Sequence, residues 1–176
     1  MAEEDWFCVQ GYKGDATRKI GIVGLVSTPR QTILQRIQSE FGQTELIQEG
    51  RSDEIRVVAI MNAFNEEEVR RVLDMAQERG WVPDASVEAR GQHVLYLTGQ
   101  PRESGMLAAT ALGLTVACVG HKTTEEWGIR FMAAALRAAF PDVPVEEVYE
   151  EEIPVPRPAK QKKVPPPQTS EGQPLQ

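Results

Sequence analysis

The chain has 176 residues, 41% of them hydrophobic and 26% charged, with a formal net charge of −7. That length supports one domain with a core of its own, and the composition is that of a soluble globular protein rather than a fibrous or disordered one. No apolar run is long enough for a membrane helix, and the acidic start MAEEDWF lacks the basic, apolar pattern of an export signal, so an intracellular, cytoplasmic protein without membrane association is expected.

Charge is unevenly spread. From Pro154 onward, Arg157, Lys160, Lys162 and Lys163 stand against Glu171, a net +3 that leaves −10 on the rest. So acidic a body is unsuited to general nucleic-acid binding through phosphates. Two cysteines, Cys8 and Cys118, do not form a disulfide framework, and Cys118 falls in an apolar run where packing is its expected role.

Residues 1–18 form an N-terminal extension in which 5–12 reads as a short edge strand. Residues 19–27, KIGIVGLVS, form a stronger strand, with Gly21 and Gly24 marking bulges or close packing. Ser27, Thr28 and Pro29 then open a helix carrying Ile33, Leu34, Ile37 and Phe41 at helical spacing, closed by Gly42. A brief strand follows over 44–48. Residues 54–61, EIRVVAIM, read as a strand buried on both faces. Asn65 caps a helix over 66–79, with Glu68 three positions on and Gly80 as the stop.

After an irregular stretch over 81–92 comes a strand over 93–98, HVLYLT. His93 opens it and is expected to be a partly exposed structural histidine. Residues 101–113 form a helix with Met106, Leu107 and Leu112 inward and Glu103 near its start. Residues 114–119 form a buried strand. Thr123 and Glu126 then fit a capping box for a last helix over 124–140, which places His121 just before the helix and Glu125 in its first turn. Trp127, Ile129, Phe131, Met132, Leu136 and the alanines between them form a broad apolar face whose small residues permit close packing against a sheet or a sister subunit, with core packing expected for most of them. Residues 143–153 return as a strand. The segment 154–176, rich in Pro and Lys, reads as a disordered tail. It offers a polyproline stretch to a protein partner and a lysine cluster, 160–163, resembling a weak nuclear signal.

Alternating strands and helices predict an α/β domain with a mixed sheet over 19–153. In such sheets ligands bind beyond the carboxyl ends of the strands, where His121 and Glu125 fall. An imidazole and a carboxylate four residues apart suit zinc, iron or manganese. On spacing alone, the plainer reading is favoured: Glu125 complements the helix dipole and His121 bonds a nearby backbone group.

The segment Tyr96-Leu97-Thr98-Gly99-Gln100, residues 108–114 and Gly120-His121-Lys122-Thr123-Thr124-Glu125-Glu126-Trp127-Gly128-Ile129 resemble the C-terminal half of the NGG-interacting factor 3-like family. Its members are also called dinuclear metal centre proteins or GTP cyclohydrolase I type 2 homologues. The resemblance implies that family's α/β fold, metal-ligand roles for His121 and Glu125, and self-association, since the family assembles into rings. Other features of the family are missing. The chain has only 2 His, no adjacent pair and no TNLD, and Gln100 stands where a glutamate is usual.

Two functions follow. One is an oligomerising binding or scaffold module that keeps a partial site for a divalent ion, with no nucleotide cofactor. The other is a metal-dependent hydrolase whose remaining ligands come from another chain.

Overall fold

The β-branched and aromatic runs fall on strands, and they assemble into one mixed sheet. The computed structural model describes residues 5–83 and 86–149. Its strands are β1 (Trp6–Tyr12), β2 (Asp15–Pro29), β3 (Leu46–Gln48), β4 (Glu54–Met61), β5 (Val94–Thr98) and β6 (Thr115–Cys118). Its helices are α1 (Arg30–Phe41), α2 (Glu66–Glu78), α3 (Glu103–Leu112) and α4 (His121–Ala139). Across the sheet the order is β1-β2-β4-β5-β6-β3. β4, β5 and β6 run parallel, while β1, β2 and β3 join antiparallel at the flanks. This is a single α/β domain with a mixed six-stranded sheet, as the alternation of elements predicts.

Parallel neighbours need a crossover, and α2 and α3 supply both of them. The two helices pack on one face of the sheet. Val69, Val72, Leu73 and Ala76 of α2 and Ala108, Ala109 and Leu112 of α3 meet Val57, Ala59, Val94, Tyr96, Val116 and Cys118 in the main core. On the other face a smaller cluster joins Ile37 of α1 to Leu95, Leu97, Ala117 and Val119. Gly21 marks close packing: a Cβ there would sit 2.6 Å from the carbonyl oxygen of Ile60 on the neighbouring strand.

β2 runs directly into α1, and Pro29 is both the last strand residue and the N-cap. Arg30 anchors the junction. Its guanidinium reaches the carbonyls of Gly50 and Ser52 and the carboxylates of Glu49 and Asp53. In α2, Asn65 accepts a hydrogen bond from the Glu68 amide at 2.9 Å, the expected cap. The Glu68 side chain does not complete the box and turns instead to Arg71.

Several expectations are corrected. β4 alternates between buried and exposed residues instead of being buried on both faces, because α1 covers only part of the second face. Leu107 points to solvent, since Gly105, Ala108, Ala109 and Leu112 take the inward stripe of α3. Residues 143–149 form no strand; Arg137 ties this segment back to α4 through Glu147 at 2.7 Å and the carbonyl of Val145. The remainder of that expected strand and the Pro/Lys-rich segment 154–176 lie outside the described residues. Among the described residues, no helix is long and apolar enough to cross a membrane.

Candidate functional site

The turn after β6 is built by Gly120, whose φ of +96° lies where a side chain would be strained. α4 starts immediately, with Gly120 as its N-cap and His121 as its first residue. Thr123 is therefore not the cap. The working threonine is Thr124, whose hydroxyl donates to the carbonyl oxygens of His121 at 2.6 Å and Gly120 at 3.2 Å. The end of β5 lies against the same turn, where a Cβ on Gly99 would come within 3.0 Å of the Thr124 hydroxyl.

One helical turn separates His121 from Glu125, and their side chains meet. His121 Nε2 lies 3.1 Å from Glu125 Oε1. Both are well exposed, at 56% and 63% of the side chain. Beside them Lys122 and Glu126 form a second pair at 3.6 Å. Gln100, at the position the resemblance reserves for a glutamate, spends its carbonyl oxygen on Arg102 at 3.1 Å. Among the described residues, no group of three or more His, Cys, Asp or Glu side chains converges as a metal cage would require. A catalytic zinc takes three protein ligands and a structural one takes four. This donor set does not fit a dinuclear centre.

His93 lies at the amino end of β5 and away from this turn. Its Nδ1 is within 3.0 Å of the Ser52 hydroxyl and 3.1 Å of the Glu54 carbonyl oxygen, a structural contact as expected. Cys118 is fully buried, and burial, reinforced by the Glu45 carboxylate, pushes its thiol up to about 11. That holds the thiol protonated and unreactive.

Two features escaped the sequence reading. The first is a cleft of about 620 Å³ between the β1–β2 turn and the start of α2, lined by Lys13, Asp15, Glu67, Glu68 and Arg71. Within it Arg71 donates to the carbonyls of Gly11 and Gln10, which fastens the hairpin to the helix. Glu68 is buried against Arg71, and burial raises its carboxyl above the ordinary range. Only its place as third residue after Asn65 marked it in advance. The second feature is α4 itself. Trp127 packs on Phe41 and donates its indole N–H to Glu40 at 2.6 Å, and Phe131 stacks on Trp127 at 5.4 Å. Among the described residues α4 buries only Ala133, and Phe131, Met132, Leu136 and Phe140 are exposed. The expected core packing of this face is overturned.

TTHA1606 from Thermus thermophilus superposes with a TM-score of 0.50 at 20% identity, covering 86% of this chain and 53% of that one. The protein ybgI, described as of unknown function, gives 0.50 at 16% identity, covering 77% of this chain and 47% of that one. A Bacillus cereus protein described as related to NIF3 gives 0.44 at 16% identity, covering 69% and 31%. The fold is shared with TTHA1606 and ybgI. At these identities the likeness to NGG-interacting factor 3-like proteins is one of fold. The chain spans about half the length of TTHA1606 and ybgI. No family profile and no curated protein matches it.

Proposed function

We propose that this protein is a non-catalytic, self-associating binding or scaffold module on an NGG-interacting factor 3-like fold. The observation that supports it is the His121–Glu125 pair: two exposed donors that satisfy each other, with no third ligand among the described residues. Such a pair holds at most one divalent ion, in the zinc, iron or manganese class, with water completing the shell. Two side chains are too few to hold the paired ions that would clamp the attacking and leaving groups of a hydrolysis. The exposed apolar stripe of α4 supports self-association.

Metal analysis of untagged protein after dialysis against zinc or manganese tests this reading. The expected result is no more than about one ion per chain, lost on His121→Ala, with a melting temperature unchanged by chelator. A stoichiometry of two tightly held ions would overturn it and favour a hydrolase completed by another chain.

A further inference from the structure

The end of α1 and the first half of α4 build an aromatic groove. Trp127 packs on Phe41 with ring centroids 5.7 Å apart, and Phe131 stacks on Trp127 at an interplanar angle of 12°. Trp127 and Phe131 line a groove of about 350 Å³ together with Glu40 and Arg130. Glu40 accepts the Trp127 indole N–H on Oε1, and among the described residues its Oε2 has no partner. The chain itself returns toward this groove. After α4, the Val143 amide donates to the Phe140 carbonyl and the backbone doubles back along the helix. Arg137 holds Glu147 and the Val145 carbonyl, and the Tyr149 hydroxyl donates to Glu147 at 2.5 Å. Glu147 and Tyr149 also feel the charge of Arg130, which stands about two helical turns nearer the start of α4 than Arg137 does. Soon after Tyr149 the sequence reads Pro154-Val155-Pro156-Arg157-Pro158-Ala159-Lys160.

We infer that this groove is the docking site of the chain's own segment 154–160, bound as a polyproline II helix. Chemistry is the first argument. Aromatic-lined grooves take polyproline II segments, because pyrrolidine rings lie on ring faces and the preset backbone loses little entropy. Trp127 and Phe131 supply the faces. Val155 and Pro158 share one edge of such a helix, and Arg157 on the next edge meets the open oxygen of Glu40. Reach is the second argument. The five residues from Tyr149 to Pro154 span about 15 Å in this conformation, against about 5 Å along the helix between Arg130 and Trp127. Charge is the third: the segment from Pro154 onward carries +3 and the rest of the chain −10. Tethering raises the local concentration of the segment to about the millimolar range, so a contact that is weak between separate molecules is populated within one. Met132 and Leu136 lie at least about 100° further round α4 than Phe131 and stay uncovered. The inference is therefore independent of the His121–Glu125 pair and of self-association.

Nuclear magnetic resonance of the full, isotopically labelled chain tests the inference. Wild-type protein should show Overhauser contacts between the rings of Trp127 or Phe131 and those of Pro154, Pro156 or Pro158, unchanged on about tenfold dilution. Phe131→Ala, at a side chain 61% exposed, and Arg157→Glu, outside the described residues, should each weaken them. A synthetic peptide of residues 153–160 supplies a second readout. It should bind the Arg157→Glu chain about tenfold more tightly than wild type, whose own segment occupies the groove. Wild-type protein without these contacts overturns the inference. Equal peptide affinity for the two chains also overturns it and leaves the groove to a proline-rich partner. Contacts that fade on dilution assign the segment to the groove of a second copy and overturn it as well. Each of these failures leaves the proposed function standing.

Discussion

Glu68 shows how a single side chain can be placed correctly in the sequence and still carry an unread consequence. Its position after Asn65 was legible as part of a helix cap; its burial under Arg71 was not, because the β1–β2 hairpin that covers it is remote in sequence. Burial raises its folded-state pKa above the ordinary carboxylate range. The folded chain therefore binds that proton more tightly than the unfolded chain. This contribution to stability is complete below the unfolded pKa and is lost as pH rises through the folded one. Glu68→Gln should accordingly flatten the fall in denaturation midpoint between mildly acidic and neutral pH. A midpoint profile parallel to wild type would count against the assignment. Gly21 makes a sterically simpler case. A side chain there meets the Ile60 carbonyl and Met61, so Gly21→Val should cost about 1–3 kcal/mol, read from urea unfolding. Tyr96, buried with its hydroxyl on the Ala63 carbonyl at 2.6 Å, should lose about 1–2 kcal/mol on change to Phe.

Helices and strands with strong periodicity were legible as elements, and their exposed faces were not. α2 and β5 follow the sequence pattern within a residue or two, since cap, stripe and stop agree. Asn65→Ala should therefore cost about 1 kcal/mol in the same unfolding measurement. α4 departs both in where it starts and in what it buries. Thr123 and Glu126 fit a capping box, yet the turn made by Gly120 starts the helix earlier. That shift brings His121 inside the helix, one turn from Glu125, where the two join as an i, i+4 pair. Its apolar stripe has the composition of a core helix, and no local signal says whether the covering surface belongs to the same chain. The same ambiguity hid the bare flank of β4. Consecutive apolar residues state that both faces avoid water, without stating what covers them.

At the scale of the molecule, the mixed sheet and the α/β class were readable from the order of elements, because alternating strands and helices admit few arrangements. The strand order was not: nothing local tells β3 to cross to the far edge and pair with β6. That pairing joins Leu46 to Cys118, while the β1–β2 hairpin closes over a turn of a few residues. Ring closure over so long a segment carries a larger entropic cost, and three residues offer few amides to offset it. The far edge should therefore be the last part of the sheet to zip during folding and the first to breathe. In deuterium exchange, the amides of Leu46–Gln48 should label well before those of β4 and β5, making this margin a soft seam in an otherwise slow-exchanging structure.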